Sequence, residues 1–449
     1  MRYCYEMNDK DLEDGRVILP YGRSVMALVA AHSLGKKGVE VIGCDSVDFT
    51  ILSFSSHVSD YFVYPDFLKD EDAFVDFMID KIKEFKPEDS RPYVLMPVYK
   101  DNDVLARHKE KFEPYIQVAA PDIEAIDKLH PKDNFARTMQ ALDVSSPKTW
   151  LPEREEELQD MNMPFPALIK PYNQTGGRGI HKVNNLEELV KYWQENKRKY
   201  DQKSLIQELA DGEDYCLTAL FDHGECKASM AYRNVHRFPP TDSGAGILRE
   251  TVPDKRFKKI ASDLMKPLEW NGVAEFDFLW DEREDSTPVL IEVNTRFWGG
   301  LFQSVESGID FPWLLYKLTV TGEVEDVSEA TIGTRTKMPY IWLISAVKDA
   351  ISSEEDFKRI EAKGQEALGQ LKDGDAWEGL KGYSAYISDY LGETLNVTKK
   401  AKKLNKALEI GRTAQNEFLN SDDPYAAFGV LFILGSLIRH GELPQEVRF

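Results

Sequence analysis

The sequence predicts an α/β and α+β fold, and three observations support this. Strand and helix patterns alternate over about the first 120 residues, strand patterns follow one another in runs between residues 167 and 293, and apolar residues recur at helical spacing from about residue 327 onward. Alternation is typical of parallel βαβ units in a doubly wound sheet, whereas runs of strands are typical of antiparallel sheet. We therefore expect a doubly wound N-terminal domain, an α+β region and a mainly helical C-terminal region.

The elements of the N-terminal domain are short and closely spaced. Strands are predicted at residues 16–20, 39–44, 61–64 and 93–98, and helices at residues 24–37 and 71–85. Ser24 is a suitable N-cap for the first helix and Gly38 a suitable stop. Strands separated by helices of this length imply parallel pairing.

The later elements set the expected domain boundaries. A helical stretch over residues 123–142 is closed by Pro147, and strands are predicted at residues 167–170, 205–208, 215–221, 228–235, 272–280 and 289–293. Further helices are predicted at residues 354–371 and 397–419. The expected domains are residues 1–120, 121–204, 205–326 and 327–449.

The composition restricts the partners and the setting. The 449 residues include 77 acidic and 56 basic side chains, for a net charge of -21. This charge repels nucleic acid, although a local basic pocket can still hold a nucleotide. The four cysteines form no CxxC pair, residues 1–11 are polar, and the apolar run 426–438 is too short to span a bilayer. We expect a cytoplasmic protein without an integral membrane span, and a homo-oligomer is compatible with the sequence.

A glycine-rich loop follows the predicted strand that ends at Lys170. Its sequence, Asn173 to Gly179, reads NQTGGRG. Glycines at positions 176, 177 and 179 allow backbone N–H groups to approach a phosphate. The spacing is neither GxxxxGK[ST] nor GxGxxG. A phosphate-binding loop and a plain β-hairpin turn are both compatible with this pattern.

Polar side chains also occur within two predicted apolar strands, at residues 272–280 and 289–293. Asp277 lies in the strand FDFLW, and Glu292 and Asn294 share one face of the next strand because they are two residues apart. Oxygen ligands of this kind suit Mg²⁺. Arg296, two residues further on, would stabilise a developing anion on the same face. The alternative is a strand with ordinary solvated polar alternation.

A third segment, residues 207–214 (QELADGED), follows an apolar strand directly. The backbone groups at the end of such a strand are suited to pairing with the edge of an adenine, and an acidic residue shortly afterwards is suited to a ribose. An ordinary acidic turn is the alternative interpretation.

The order of these segments resembles the ATP-grasp superfamily over about residues 15–325. Within it, the chain is most similar to the predicted ATP-dependent carboligases, of the carboxylate–amine ligase type and similar to halves of carbamoyl-phosphate synthetase. The stretches NTRFWGG at 294–300 and GIDFPWLLY at 308–316 look like the ending of that subgroup. The resemblance implies an ATP-grasp fold, in which two α+β lobes enclose ATP after an N-terminal doubly wound domain.

The resemblance also implies an ATP site. Two lysines bind phosphates, three glycines form the loop over the β- and γ-phosphates, three hinge residues contact adenine, and one acid contacts ribose. These residues are Lys132, Lys170, Gly176, Gly177, Gly179, Gln207, Glu208, Ala210 and Asp214. The family usually has Asp–Lys at the first lysine, whereas here the order is Lys132–Asp133 and an Asp127–Lys128 pair lies four residues earlier. The hinge residue is usually Glu, and here it is Gln207.

The resemblance further implies that Asp277, Glu292 and Asn294 bind Mg²⁺, for which Mn²⁺ can substitute, and that Arg296 and Lys170 are catalytic. The expected reaction converts a carboxylate into an acyl phosphate, which an amine or a thiol attacks with release of ADP and phosphate. A bicarbonate-activating carboxylase or carbamoyl-phosphate-type enzyme, a small-molecule kinase and a non-catalytic nucleotide-binding regulator are the alternatives.

Three further residues are candidates for the substrate pocket. Arg233 and Arg249 flank the segment 243–246 and would orient a carboxylate through bidentate pairs, or lie at the surface. Trp298 would form a wall of the pocket, or pack in the core.

Overall fold

The computed structural model describes residues 12–174, 179–238, 245–327, 329–338, 342–343, 363, 366, 381–382, 384–386, 397–417 and 422–428. The chain divides into two compact units. The first comprises Met1–Asn234, Arg249–Thr336 and Glu417–Phe449, and the second comprises Val235–Leu248 and Lys337–Asn416. Every predicted site residue belongs to the first unit.

The N-terminal part of the first unit is built on a parallel sheet. Its strands are β1 (Arg16–Leu19), β2 (Glu40–Asp45), β3 (Val58–Val63), β4 (Tyr93–Leu95) and β5 (Gln117–Val118). The helices between them are α1 (Val25–Gly35), α2 (Glu71–Glu84), α3 (Asp101–Arg107) and α4 (Lys109–Phe112). The strand order is β3-β2-β1-β4-β5, so the direction of the chain across the sheet reverses between β1 and β4. The predicted doubly wound domain is confirmed.

Local sequence explains the bounds of these elements. Ser24 caps α1, because its side chain accepts a hydrogen bond from the N–H of Met26 at 3.1 Å. Strand β4 is shorter than its apolar pattern predicts, since Pro97 has no N–H to donate to a neighbouring strand. The strands are apolar on both faces, with Val17, Ile18 and Leu19 fully buried, because helices cover both sides of a doubly wound sheet.

A small lobe follows, built on a four-stranded antiparallel sheet of order β6-β9-β7-β8. Its strands are β6 (Thr149–Trp150), β7 (Ala167–Pro171), β8 (His181–Val183) and β9 (Ser204–Glu208). Its helices are α5 (Ile123–Leu129), α6 (Lys132–Leu142), α7 (Glu157–Asp160) and α8 (Leu186–Tyr200). The prediction of one helix over residues 123–142 is wrong in one respect. The structure has two helices there, α5 and α6, because Pro131 cannot donate a helical hydrogen bond.

The large lobe contains the longest strands of the chain's described residues. They are β10 (Glu213–Asp222), β11 (Glu225–Phe238), β12 (Ala245–Val252), β13 (Gly272–Trp280), β14 (Val289–Asn294) and β15 (Arg335–Lys337). Within the first unit their order is β14-β13-β10-β11-β12-β15, and β13 pairs antiparallel with both β10 and β14. The helices are α9 (Lys255–Met265), α10 (Leu301–Glu306) and α11 (Phe311–Thr321). The expected antiparallel α+β lobes are therefore confirmed.

The second unit includes the last residues of β11 and the first residues of β12. It also contains a helix α12 (Val397–Arg412) and a short strand β16 (Gln415–Asn416). The indole N–H of Trp342 donates to Nδ1 of His236 at 3.0 Å, and the Lys337 ammonium lies 4.8 Å from the Trp342 ring. Helix α12 ends before the predicted residue 419, and most of the helix predicted at 354–371 lies outside the described residues. Among the described helices, none is both long and apolar enough to cross a bilayer.

The segment around Asp423 packs against the N-terminal domain within the first unit. The buried carboxylate accepts hydrogen bonds from the Ser55 hydroxyl at 2.5 Å and from the Ser56 N–H at 3.0 Å, and it lies 2.7 Å from Nε2 of His32. Burial alone raises the pKa of Asp423, but the bonds from Ser55 and Ser56 and the neighbouring His32 outweigh burial and hold the pKa below its usual range.

We expect Asp423→Asn to lower the free energy of unfolding by about 1–3 kcal/mol near neutral pH, because the neutral amide accepts these bonds less strongly. The pKa is lower in the folded chain, so the carboxylate stabilises folding above its unfolded-state pKa of about 4 and loses this effect as the pH falls through the folded-state pKa. Urea unfolding of both proteins across this pH range measures the difference. A difference that grows on acidification contradicts the assignment.

Candidate active site

The pairing of β13 with β14 assembles the predicted metal ligands. Asp277 lies opposite Glu292, and Glu275 lies opposite Asn294. Because side chains alternate along a strand, all four residues share one face of the sheet. The Asn294 side-chain amide donates to Glu275 and to Asp277, at 3.2 Å in each case. The three residues that the sequence predicts as ligands are therefore neighbours.

Glu275 is a member of this group that the sequence analysis missed. Its signal is present, since it precedes Asp277 by two residues on the same strand. The Glu275 carboxylate is buried and accepts a hydrogen bond from the Tyr232 hydroxyl at 2.6 Å. Cys216 on β10 lies opposite Asp277 and its thiol donates to that carboxylate at 3.3 Å. We refer to Glu275, Asp277 and Glu292 as the carboxylate cluster.

The electrostatics of the carboxylate cluster favour a bound cation. Burial raises the pKa of Asp277 well above its usual value, and the negative charges of Glu275 and Glu292 raise it further. Burial likewise raises the pKa of Glu275, although the hydrogen bond from Tyr232 opposes this. Raised values mean that the ionised carboxylates lack sufficient positive charge around them. Oxygen donors from Asp277, Glu292 and Asn294 form a set that fits Mg²⁺.

Arg296 lies next to these residues, just after β14. One terminal N–H group donates to Oδ1 of Asn294 at 3.0 Å, and the other donates to the carbonyl of Phe297 at 2.8 Å. The guanidinium also lies over the ring of Tyr99, 4.2 Å from its centroid. The structure thus brings Arg296 beside the predicted metal ligand Asn294, as its position two residues along the strand predicts.

Lys132 connects the small lobe to the carboxylate cluster. It is the first residue of α6, and its ammonium lies 3.7 Å from Oε1 of Glu292. The same ammonium donates to the carbonyl of Gln174, in the glycine-rich segment, at 2.6 Å. Lys128, the alternative lysine that the sequence offers, lies exposed on α5. The geometry therefore favours Lys132 as the lysine of this site.

Lys170 extends from β7 into a partly buried position in the same lobe. Its ammonium donates to Oε1 of Gln207 at 2.7 Å, and the Gln207 amide donates to the Thr149 hydroxyl at 3.0 Å. The pKa of Lys170 is lowered to about 8, mainly by burial; the charge of Glu292 opposes the shift, and that of Lys132 contributes to it. Gln207 supplies a hydrogen bond without a counter-charge, which is the physical consequence of Gln at this position in place of the usual Glu.

The remaining residues of the predicted nucleotide site follow these lysines along the chain. Glu208 ends β9, Ala210 lies in the following turn, and Asp214 lies in β10. Gly179 has a φ of +71°, and an added Cβ would lie 2.7 Å from Pro171 and from Tyr200, so a larger residue does not fit. Gly176 and Gly177 lie outside the described residues.

Of the three candidate substrate residues, the two arginines form ion pairs with glutamates and the tryptophan is buried. Arg233 forms an ion pair with Glu250 at 2.8 Å on a half-exposed surface. Arg249 is buried and its guanidinium donates to Glu417 at 2.8 Å. Trp298 is fully buried, so it packs in the core and forms no wall of an open pocket in this structure. The alternative core interpretation of Trp298 therefore describes its position.

Part of the chain matches a known protein family. The family model described as "ATP-grasp in the biosynthetic pathway with Ter operon" matches residues 201–339, which include β13, β14 and Arg296. The chain has the ATP-grasp fold, and residues 201–339 match this ATP-grasp family. The superfamily comprises ATP-dependent ligases and carboxylases that act on small molecules.

The curated relatives of this ATP-grasp chain include carbamoyl-phosphate synthases. It is 25% identical over 142 residues to the large chain from Caldanaerobacter subterraneus subsp. tengcongensis, covering 31% of this chain and 13% of that protein. It is 23% identical over 201 residues to the enzyme from Methanobrevibacter smithii, covering 43% and 53% respectively. The matches thus span at most about half the length of these relatives.

Solved structures share the fold. A biotin carboxylase from Campylobacter jejuni superposes with a TM-score of 0.58 at 17% identity, over 72% of this chain and 75% of that one. An L-amino acid ligase from Bacillus licheniformis gives 0.53 at 16% identity, over 69% and 75%. The biotin carboxylase domain of Hydrogenobacter thermophilus 2-oxoglutarate carboxylase gives 0.56 at 17% identity, over 71% and 73%, and its structure contains MgADP and bicarbonate.

Asp277→Asn should raise the stability of the metal-free protein at pH 8. An acid whose pKa is raised by folding destabilises the folded state when ionised, and this penalty disappears as the pH falls below the raised pKa. The expected gain is about 1–2 kcal/mol, and it shrinks as the pH falls through the raised pKa. The new amide can donate to the Cys216 sulfur while its oxygen still accepts from Asn294.

Thermal and urea unfolding in the presence of EDTA measure this gain, and the same experiment with added Mg²⁺ provides the comparison. Mg²⁺ is expected to stabilise the parent protein and to leave the variant unchanged. A variant that is less stable than the parent at pH 8 and is still stabilised by Mg²⁺ contradicts the cation-site assignment.

Proposed function

We propose that this ATP-grasp protein is an ADP-forming ligase that activates a small carboxylate as an acyl phosphate and joins it to an amine or a thiol. One observation carries the proposal. The Lys132 ammonium of the small lobe lies 3.7 Å from Glu292 of the carboxylate cluster, and Arg296 donates to the adjoining Asn294. Phosphoryl transfer depends mainly on positioning and on neutralising charge, and cations beside metal-type oxygen ligands provide both.

The proposed nucleotide contacts come from both lobes. Lys132 and Lys170 bind the phosphates, with Gly176, Gly177 and Gly179 in the loop above them. Gln207, Glu208 and Ala210 line the adenine, although the Gln207 side chain itself faces Lys170, so the adenine contacts there fall to the backbone. Asp214 binds the ribose. These roles are supported by the order of the segments along the chain and by the proximity of Lys132 to Glu292.

Asp277, Glu292 and Asn294 are the residues that would hold Mg²⁺, or Mn²⁺ in its place. The ion would neutralise negative charge on the nucleotide phosphates. Glu275 holds the Asn294 amide from the opposite strand, so that the side-chain oxygen of Asn294 faces Arg296. A cation on Asn294 would therefore share that oxygen with Arg296 or release the guanidinium towards the phosphates.

The proposed chemistry has two steps. A carboxylate oxygen of the substrate attacks the γ-phosphorus of ATP, the bond to the β–γ bridging oxygen breaks, and ADP leaves. The neutral amine then attacks the carbonyl carbon of the acyl phosphate, inorganic phosphate leaves, and the amine loses a proton. Arg296 contributes by stabilising the charge that develops on the transferring phosphoryl group, while Lys132 and Lys170 hold the phosphates in line.

A second candidate is supported by the curated relatives, which are carbamoyl-phosphate synthases. In that case bicarbonate is the carboxylate that receives the phosphoryl group. A kinase would instead stop after the first transfer, without an acceptor amine. The site residues proposed above serve all three reactions, so the substrates decide between them.

A matrix of carboxylates, bicarbonate included, against amines and thiols tests the proposed function. Phosphate release from ATP is measured for each pair, with the Glu292→Gln variant as a control for contaminating activity. We expect release that requires one carboxylate and one acceptor together. Release with bicarbonate supports the second candidate, and transfer to a substrate without any acceptor contradicts the ligase proposal.

Arg296→Ala and Arg296→Lys should both slow phosphate release by about 10²–10³-fold, because a planar guanidinium that stabilises only the transition state is not replaced by an ammonium. Affinity for Mg-ATP should change less than about threefold, since that interaction develops after binding. Single-turnover phosphate release and calorimetry measure the two quantities. The exposed Arg256→Lys on α9 is the matched control. A large loss of affinity with an unchanged rate at saturation would remove Arg296 from the catalytic role.

Nucleotide binding should take up protons near pH 8. With a pKa of about 8, roughly half of the Lys170 side chains are neutral there. A nearby phosphate favours the charged form, so binding draws up to about 0.5 proton from solution. Calorimetric titration with ADP and EDTA, in two buffers of different ionisation enthalpy, measures this uptake.

Lys170→Met should abolish the proton uptake, whereas Lys203→Met, an exposed lysine of the same lobe, should retain it. Equal uptake in the parent protein and in Lys170→Met would show that another group titrates, and the position of Lys170 at the phosphates would be withdrawn.

A further inference from the structure

Tyr99, a residue of the N-terminal domain, lies against Arg296. It lies in the loop between β4 and α3, and the Arg296 guanidinium is centred 4.2 Å from its ring centroid. This loop leaves the carboxyl end of β4, next to β1, where the strand order reverses. Crevices at such positions are the usual binding sites of doubly wound sheets. The ring of Tyr99 therefore lies between the sheet of the N-terminal domain and the proposed phosphoryl-transfer site.

The position of Tyr99 is restrained by contacts to its backbone and to its ring. The buried carboxylate of Asp101 accepts hydrogen bonds from the backbone N–H groups of Val98 and Tyr99, at 3.0 and 2.7 Å. The ring of Tyr21, which follows β1, lies 5.3 Å from the ring of Tyr99. Backbone and ring contacts together restrict where Tyr99 can point, so its face forms a fixed surface.

The segment that bears Arg296 is restrained by the same loop. The Asn102 side-chain amide is buried and donates to the carbonyl of Thr295 at 3.0 Å. The Arg296 guanidinium is further bonded along its edges, to Asn294 and to the carbonyl of Phe297. The guanidinium is thus held along its edges and on one face, while Arg296 as a whole stays partly exposed.

We propose that Tyr99 is a positioning residue for Arg296. The ring of Tyr99 fixes the plane of the Arg296 guanidinium, so that the guanidinium faces the charge that develops on the transferring phosphoryl group. This inference rests on the proposed role of Arg296. A long arginine side chain loses much rotational freedom when it is fixed, and a preformed aromatic surface supplies that restriction before the reaction begins. The N-terminal domain thereby contributes to catalysis without touching the nucleotide.

The test compares Tyr99→Leu with Tyr99→Phe, which keeps the ring. Tyr115→Leu is the matched control, because this tyrosine also lies beside a cation, 4.8 Å from the Lys83 ammonium, in the same domain. Calorimetry measures the affinity of each protein for MgADP alone and for MgADP with aluminium fluoride, a mimic of the transferring phosphoryl group. The gain in affinity on adding aluminium fluoride reports transition-state stabilisation and requires no knowledge of the natural substrates.

We expect Tyr99→Leu to reduce this gain by about tenfold while the affinity for MgADP alone stays within about twofold of the parent. Tyr99→Phe and Tyr115→Leu should both retain the gain. In an Arg296→Ala background, Tyr99→Leu should have no further effect, because a residue that acts through Arg296 has nothing left to position. If Tyr99 had only a structural role, Tyr99→Leu would lower the affinity for the ligand both in the parent protein and in the Arg296→Ala variant.

Nitrogen-15 spectra of the arginine side chains test the stacking directly. The Arg296 Nε–H signal, identified by its loss in Arg296→Ala, should be shifted by the ring current of Tyr99 and should move in Tyr99→Leu but hardly in Tyr99→Phe.

The calorimetric results separate this inference from the proposed function. If the parent protein gains no affinity from aluminium fluoride, the proposed function fails and this inference fails with it. If the parent gains affinity and Tyr99→Leu gains as much, the inference alone is overturned.

Discussion

The antiparallel register of β13 and β14 is the constraint on which the site depends. It sets Asp277 against Glu292 and Glu275 against Asn294, so that three carboxylates share one face of a largely buried sheet. Folding raises the pKa values of Glu275 and Asp277 mainly because it buries the carboxylates, and repulsion from the neighbouring carboxylates adds to the shift. The site is built to receive positive charge, and its neighbours are arranged accordingly.

Positive charge reaches this face from two parts of the first unit. Lys132 comes from the small lobe and Arg296 from the end of β14, and the neutral ring of Tyr99 in the N-terminal domain lies against the Arg296 guanidinium. Lys170, whose hydrogen-bond partner is the neutral Gln207, is partly buried and has a lowered pKa. A cluster of this kind lowers the stability of the free protein and is typical of sites that bind charged ligands. The proposed phosphate contacts are compatible with ligase and carboxylase chemistry alike, because these reactions share the phosphoryl transfer and differ in their substrates.

Much of the candidate site can be predicted from the sequence, because the period-two alternation of side chains along a strand is a local property. Asp277, Glu292 and Asn294 follow from it, and Glu275 follows by the same rule, although it was overlooked in an apolar strand. Contacts between distant segments were not accessible. The pairing of Arg249 with Glu417 and the stacking of Arg296 on Tyr99 join residues 168 and 197 positions apart, and no local pattern encodes them. The break before α6 was readable from Pro131, but the helical periodicity on either side concealed it.

The most direct test of the account is the position of a metal–nucleotide complex in crystals of the protein grown with Mn²⁺ and ADP. The anomalous signal of manganese locates the ion without any assumption about the reaction. The account predicts one strong peak within coordination distance of Asp277, Glu292 and the Asn294 oxygen, with the β-phosphate beside Lys132 and Lys170. An ordered nucleotide bound elsewhere, or a manganese peak that none of these oxygens approaches, would contradict it.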